Sequence, residues 1–367
     1  MLYVIAFIVL LYWFQISKYR IGWDKIKTES QQEFTPKASV VIAIRNEESE
    51  VKLLVKTLKK QIYPTDYLEI ILVNDHSTDT TLALLEQVEM DNLRIINMPD
   101  GEFGKKNAIS RAVQVAKGEI ILASDADCSF TPNWVQTMVA YFANEQIKLV
   151  SGPVTFHKQK GIFQSLQALE FASLIGSGAG AIGMGNAIFC NGANMAYRET
   201  IFLEVNDFEN DKAVSGDDVF LLHSVKEKYN NGIAFAKNEN AIVTTEGVQT
   251  IKGFINQRKR WTAKSSGYKD WASIYTSFLV LFTNVIGVIL LGLSLFDFTY
   301  LNYFLYYFAL KFLADLYLLL PVLSFFNRKD LAKWILPFEF FYSCYIVLIV
   351  VLSFTNTFEW KGRIHEK

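Results

Sequence analysis

The chain has 367 residues, 51% of them hydrophobic and 20% charged, and its formal net charge is −1. That length allows roughly two domains of ordinary size, and the near-neutral charge gives no support for a nucleic-acid partner. The three cysteines, Cys128, Cys190 and Cys344, lack metal-ligand spacing, and their odd number argues against a disulfide framework.

Leu2 to Ile16 contains no charged residue, and Lys18, Arg20, Lys25 and Lys27 follow it. At about 1.5 Å per residue such a helix is at the short limit for a ~30 Å hydrocarbon core. A cleaved signal peptide puts positive charge before its apolar run and small residues after it. This chain does the reverse, so residues 1–17 read as an uncleaved anchor whose C-terminal end is cytoplasmic. The alternative is a buried helix of a soluble protein.

Strand-like and helix-like runs alternate over the following residues. Val40–Ile44, Ile70–Asn74, Leu93–Ile96, Ile120–Ser124 and Leu149–Val154 read as buried strands. Glu47–Gln61, Thr78–Glu89, Lys105–Lys117 and Pro132–Phe142 read as helices. The alternation predicts an α/β fold with a mainly parallel sheet and helices on both faces. Ligands then bind beyond the carboxyl ends of the strands. Those ends carry Arg45-Asn46-Glu47-Glu48, Asn74-Asp75-His76-Ser77 and Asp125-Ala126-Asp127. Strand side chains alternate faces, so Asp125 and Asp127 share a site only if the chain turns as its strand ends. Two hard oxygen ligands placed that way suit Mg²⁺ or Mn²⁺, with a diphosphate supplying further oxygens.

Gly178-Ala179-Gly180-Ala181-Ile182-Gly183 fits Gly-x-Gly-x-x-Gly literally, but it follows a helix-like stretch, Ile162–Ile175, and not a strand. A dinucleotide site fails that structural condition, and a flexible small-residue segment near the membrane is expected instead. His157 and His223 have no metal-like partners and read as structural. Three apolar spans follow, near 274–296, 300–322 and 334–354, in a C-terminal region of 274–356 with a tail of 357–367. Asn327-Arg328-Lys329-Asp330 and Lys333 form a basic loop expected in the cytoplasm, which agrees with a cytoplasmic domain over 28–270. The basic tail Trp360-Lys361-Gly362-Arg363 conflicts with three full spans, which place it outside, and leaves its side open. Lys311 and Asp315, four apart in one span, are expected to face each other as a structural pair.

In this order the motifs resemble those of an inverting family 2 glycosyltransferase of GT-A fold, in the membrane-integrated branch similar to cellulose and hyaluronan synthases and ceramide glucosyltransferase. The matching residues are Val40 to Glu48, Val73-Asn74-Asp75-His76-Ser77-Thr78-Asp79, Gly104-Lys105, Ser124-Asp125-Ala126-Asp127, Gly192-Ala193-Asn194, Gly216-Asp217-Asp218 and Gln257-Arg258-Lys259-Arg260-Trp261. The departure is Asn74-Asp75-His76, where the family more often has Asp-Asp-Gly or Asp-Asp-Ser. The resemblance implies a GT-A domain with a Rossmann-like mixed sheet on the cytoplasmic side, joined to transmembrane helices in a multi-pass membrane protein.

It further implies that Asn46, Glu47 and Asp75 hold the nucleoside of a nucleotide-diphospho-sugar, by default a UDP-sugar; capping of the next helices by Asn46 or Asp75 is the structural alternative. Lys105 reaches a phosphate or base carbonyl, or else is a solvated surface lysine. Asp125 and Asp127 share the nucleotide and a Mg²⁺ or Mn²⁺ ion, with Asp127 favoured as the direct ligand. Asp218 is the general base and Asp217 helps to position the acceptor, although an acidic pair at a helix start also suits the helix dipole. Asn194, Gln257, Arg260 and Trp261 serve the acceptor and diphosphate; the alternative for 257–261 is an interfacial basic-aromatic segment. The implied partners are that donor, a lipid or lipid-linked acceptor, and the membrane. A processive polysaccharide synthase is the second reading, and a transporter or scaffold with a degenerate domain a distant third.

Overall fold

The computed structural model describes residues 2–27, 34–205, 217–265, 267–354, 357–360 and 363–366. Two compact units emerge, Ile26–His157 with Phe189–Glu246, and Met1–Lys25 with Lys158–Ile188 and Gly247–Lys367. Residues 158–188 and 247–270, within the 28–270 domain expected from the sequence, group here with the apolar helices.

The first unit alternates β1 (Ala38–Ile44), α2 (Val51–Leu58), β2 (Leu68–Asn74), α3 (Thr81–Glu86), β3 (Leu93–Asn97), α4 (Lys105–Val115) and β4 (Ile120–Asp125). It continues through β5 (Ser129–Phe130), α5 (Trp134–Ala140), β6 (Leu149–Ser151), β7 (Val154–Phe156), β8 (Asn194–Arg198), α7 (Glu199–Val205), α8 (Asp217–Lys228), β9 (Ile233–Phe235) and β10 (Val243–Thr245). Seven strands form a sheet in the order β3-β2-β1-β4-β8-β6-β9, and three form a small one, β5-β10-β7. β1 to β4 pair in parallel, as the alternation predicts. β8 was not read from the sequence; it runs antiparallel to β4 and β6 and makes the sheet mixed.

Burial explains the sequence of β1, Ala-Ser-Val-Val-Ile-Ala-Ile, which is buried almost throughout. A strand covered on both faces needs a continuous apolar run and not an alternating one. β3, at the edge, is only half-buried. α2 turns Val51, Leu54 and Leu58 inward at helical spacing. The single strand expected over Leu149–Val154 divides in two. Pro153 has no N–H to give a ladder, and Gly152 is so close to the Asn194 side chain that a methyl group there would collide with it. β6 therefore stays in the large sheet while β7 joins the small one.

The second unit holds α1 (Leu2–Lys25), α6 (Ile162–Gly183), α9 (Ile251–Ser265), α10 (Trp271–Ser294), α11 (Thr299–Phe325) and α12 (Ile335–Ser353). Among the described residues, Trp271–Ser294, Thr299–Phe325 and Lys329–Ser353 are long and apolar enough to cross a membrane. α1 buries Val9, Tyr12, Ile16, Tyr19 and Trp23, and exposes Tyr3, Phe7, Leu10 and Phe14 along another face. The expected flexible segment at Gly178–Gly183 is instead the last turn and a half of α6. Its glycine has a packing role: a methyl group at Gly180 would strike the Tyr19 carbonyl of α1, and one at Gly22 would strike the Gly180 carbonyl. Small residues let two helix backbones touch. Lys311 is fully buried, donating to Asp315 at 2.8 Å and to Glu339 at 2.5 Å, so the expected pair has a third member. The tail contributes a short antiparallel pair, β11 (Thr357–Trp360) and β12 (Arg363–Glu366).

Candidate active site

The order β3-β2-β1-β4 places a topological switch between β1 and β4, where an α/β sheet opens a crevice at its carboxyl edge. Register aligns the three polar clusters there: Ile44 lies beside Asn74, and Ala43 beside Asp125. The Asp75 N–H continues the ladder to the Ile44 carbonyl at 2.8 Å.

Side chains tie the first two clusters together. Arg45 Nη1 donates to the carbonyls of Asp75 and His76 at 2.7 and 3.0 Å. Asn46 and His76 both adopt positive φ, 51° and 54°, a conformation that costs non-glycine residues about 1 kcal/mol or more. Asn46 Oδ1 accepts from the Thr78 N–H at 2.8 Å, and the Glu47 N–H donates to Thr81 Oγ1 at 2.8 Å. The residues preceding α2 and α3 are Glu50 and Thr80, so neither Asn46 nor Asp75 caps these helices. Asp75 is 2% exposed. Its Oδ2 accepts from the Gly104 N–H at 3.0 Å, and its Oδ1 lies 3.2 Å from His76 Nδ1. It thereby anchors the loop before α4. Gly104 has φ 97°, which favours glycine.

Lys105 opens α4 and pairs directly with Asp125 at the end of β4. It is therefore not a merely solvated surface lysine. Asp127, half-buried two residues on, accepts at Oδ2 from Thr245 Oγ1 of β10 at 3.0 Å. Burial pushes the Cys128 thiol well above its usual pKa, and the charges of Asp127 and Asp125 push it the same way.

The β4–β8 pairing brings a second acidic group to this edge. Ser124 lies opposite Asn194, and Ser124 Oγ donates to the Ala193 carbonyl at 2.6 Å. In the same loop the Gly192 N–H donates to Asp218 Oδ2 at 3.0 Å, and Cys190 Sγ lies 3.2 Å from the Asp218 carbonyl. A Cβ at Gly192 would sit 3.3 Å from Asp218 Oδ2, close enough that the carboxylate would have to move by a few tenths of an ångström. Asp218 Oδ1 also accepts from the Val219 N–H at 2.9 Å, a cap-like bond at the start of α8. Gly216 and the Asp217 side chain lie outside the described residues.

Asn194 differs from expectation. It is completely buried, and its side chain has three protein partners: Trp134 Nε1 at 3.0 Å, the Pro153 carbonyl at 2.9 Å and the Ala241 carbonyl at 2.8 Å. An amide has two donors and one acceptor oxygen, so each of these groups is engaged internally. Asn194 ties three segments together and does not face an acceptor or diphosphate. Asn194→Ala should lower unfolding stability by about 3 kcal/mol or more, because it leaves three buried groups unpaired. Thermal unfolding in detergent checks this.

Gln257, Arg260 and Trp261 lie on α9, in the helical unit. The buried cation of that segment is Arg258, held by Glu170 and Tyr345, which the motif reading did not single out. Thr245 was also missed: a threonine ending a three-residue strand carries no sequence signal. His157, read as structural, lies 3.3 Å from Ser129 Oγ.

An α/β sheet with acidic and basic groups gathered at the carboxyl edge of its switch point, and a further carboxylate delivered by the antiparallel β8 side, defines a GT-A-type domain. Residues 39–205 match the family described as glycosyl transferase family 2, so that part of the chain is a domain of that family. It is 26% identical over 248 residues to the beta-monoglucosyldiacylglycerol synthase of Synechocystis sp., covering 64% of this chain and 49% of that protein. The chain thus spans about half the length of that relative. It is 24% identical over 307 residues to the poly-beta-1,6-N-acetyl-D-glucosamine synthase of Staphylococcus epidermidis, covering 76% of this chain and 70% of the other. The solved mannosyltransferase PcManGT from Pyrobaculum calidifontis, in complex with GDP-Man and Mn²⁺, superposes with a TM-score of 0.58 at 16% identity. That superposition covers 97% of this chain and 99% of the other, and shares the fold.

Proposed function

We propose that the protein transfers a sugar from a nucleotide-diphospho-sugar to a lipid or lipid-linked acceptor at a membrane, with inversion at the anomeric carbon. The observation that carries this reading is the edge formed by Asp75, Lys105, Asp125 and Asp127, with Asp218 tied to the adjoining loop through Gly192. Asn46, Glu47 and Asp75 hold the nucleoside, whose ribose hydroxyls and ring N–H groups suit carboxylate and amide acceptors. Lys105 brings a positive charge beside Asp125, where the diphosphate would lie. Asp218 removes the proton of the acceptor hydroxyl. That oxygen bonds to the anomeric carbon from one face as the bond to the diphosphate breaks on the other. The proton stays on Asp218, the bond electrons leave with the nucleoside diphosphate, and Asp217 helps to place the acceptor. Gln257, Arg260 and Trp261 contact the acceptor and diphosphate; arginine forks fit phosphate oxygens, and tryptophan stacks on a sugar face.

The donor set fits a hard divalent cation. Asp127 and Asp125 supply carboxylate oxygens, the hard ligands such a cation takes, and diphosphate oxygens would be its further ligands. A bound Mg²⁺ or Mn²⁺ would neutralise charge building on the leaving diphosphate. UDP is the default nucleotide. A donor panel incubated with native membrane lipids and the purified protein, read by mass spectrometry, should give one glycosylated lipid. Products that lengthen without limit would favour a processive polysaccharide synthase, a reading supported by the 70% coverage of the Staphylococcus relative. No product with any donor would leave a scaffold role.

The same reading places the α/β unit in the cytoplasm, on the side of the basic residues Arg328, Lys329 and Lys333. A cysteine near Gln61, such as Lys60→Cys at an exposed position, should resist membrane-impermeant thiol reagent in intact cells and react after lysis. Labelling in intact cells overturns this topology.

A further inference from the structure

Arg258 lies between Gln257 and the pair Arg260-Trp261, and its surroundings are unusual for a cation. It is 3% exposed, and Glu170 of α6 is 5% exposed. Arg258 Nε lies 3.0 Å from Glu170 Oε2, and Nη2 lies 2.6 Å from the same oxygen. Tyr345 of α12 donates its hydroxyl to Glu170 Oε1 at 2.7 Å. The guanidinium also sits 4.4 Å from the ring centre of Phe254 and 4.1 Å from that of Trp261. Nη1 donates to Gln257 Oε1 at 2.6 Å.

A buried ion pair adds little net stability compared with an apolar pair of similar volume, and its better-attested use is to fix one arrangement. Here the arrangement concerns two side chains. The bond to Gln257 Oε1 engages the amide carbonyl and fixes which end of the amide faces Arg258. The guanidinium packs on the Trp261 ring, which also meets Phe171 at 6.3 Å between ring centres, so the indole is held between protein groups. Arginine can do both at once because its guanidinium is planar and forked, whereas lysine is a point charge on a flexible stem.

We propose that Arg258, locked by Glu170 and Tyr345, is a positioning residue that sets Gln257 and Trp261 for the acceptor, an inference that rests on the acceptor role given to those two residues above. The clamp draws on α6, α9 and α12, so a helix that crosses the membrane helps to orient the segment that receives the acceptor.

The test uses the full-length protein in nanodiscs, with the donor and acceptor found by the panel. Glu170→Met with Arg258→Met replaces the ion pair by an apolar pair, a change that tends to preserve folding. Tyr345→Phe removes one hydroxyl and decides the matter if the double variant does not fold. Both variants should keep donor KM within about twofold of wild type. Acceptor kcat/KM should fall by about 10²-fold in the double variant, as for a misplaced contact group, and by less in Tyr345→Phe. The ¹⁹F resonance of 5-fluorotryptophan at position 261, assigned through its loss in Trp261→Phe, should shift or broaden in both. Acceptor kcat/KM within about twofold of wild type, or an unchanged resonance, in the variant that folds overturns the proposal. If wild type transfers nothing, the reading of glycosyl transfer fails by itself; a resonance that then stays unchanged in the variants overturns the clamp as well, and one that moves retains its positioning of Trp261.

Discussion

Asp127→Ala is expected to abolish sugar transfer and to leave the protein folded and inserted in the membrane. Structurally little depends on this carboxylate. It is half-buried, and the hydroxyl of Thr245, which donates to it at 3.0 Å, loses about 1 kcal/mol of hydrogen bonding when the acceptor goes. Chemically much depends on it. On the proposed reading the leaving group is a nucleoside diphosphate, and a cation held by Asp127 and Asp125 would supply several kcal/mol of charge stabilisation as the bond breaks. A deficit of about 4 kcal/mol is about 10³-fold in rate. The measurement is transfer by purified wild type and variant in Mg²⁺ or Mn²⁺, with thermal unfolding in parallel. Excess chelator should stop the wild type in the same way. Full wild-type activity in chelator would sink the metal assignment.

How far the sequence could be read depends on the range of the interactions involved. β1, β2, β3 and β4 are apolar runs with polar residues at their carboxyl ends, so local pattern and the rules of parallel sheets located Asn46, Asp75, Asp125 and Asp127 on one edge. Lys105 was legible as a helix start after Gly104, but its ion pair with Asp125 is a long-range contact that spacing does not encode. Asn194 was misplaced because a polar residue within a motif looks the same whether it faces a ligand or bonds to Trp134, Pro153 and Ala241 inside the fold. Similarly, Gly178 to Gly183 looked like a flexible segment because each of its three glycines disfavours a helix by about 1 kcal/mol; contact with α1 selects the helix. Arg258 was hidden by its neighbours: four of the five residues from Gln257 to Trp261 are polar or charged, and only Glu170, 88 positions earlier, marks which cation is buried.

Asp218→Asn should reduce turnover by about 10²–10⁴-fold or more, with donor affinity little changed, because a general base contributes about that factor. The substitution is nearly isosteric. An asparagine oxygen can still accept from the Gly192 or Val219 N–H, bonds of 3.0 and 2.9 Å in the wild type. It cannot take the acceptor's proton. If the residue serves only to start α8, asparagine is as good a cap as aspartate and the variant should turn over within a few-fold of wild type. Nucleotide binding and transfer rate measured on the same preparation separate the two roles: unchanged binding with collapsed transfer assigns the base, and unchanged binding with preserved transfer removes it. Gly192→Ala offers an independent reading of the same contact. Its new methyl group would approach the Asp218 carboxylate at 3.3 Å, so it should displace the base while leaving its charge in place. A loss of transfer in Gly192→Ala alongside Asp218→Asn, with donor binding intact in both, would place the function in the position of that carboxylate as well as in its basicity. If Asp218→Asn keeps its activity, Asp217, which begins the same helix, becomes the candidate base.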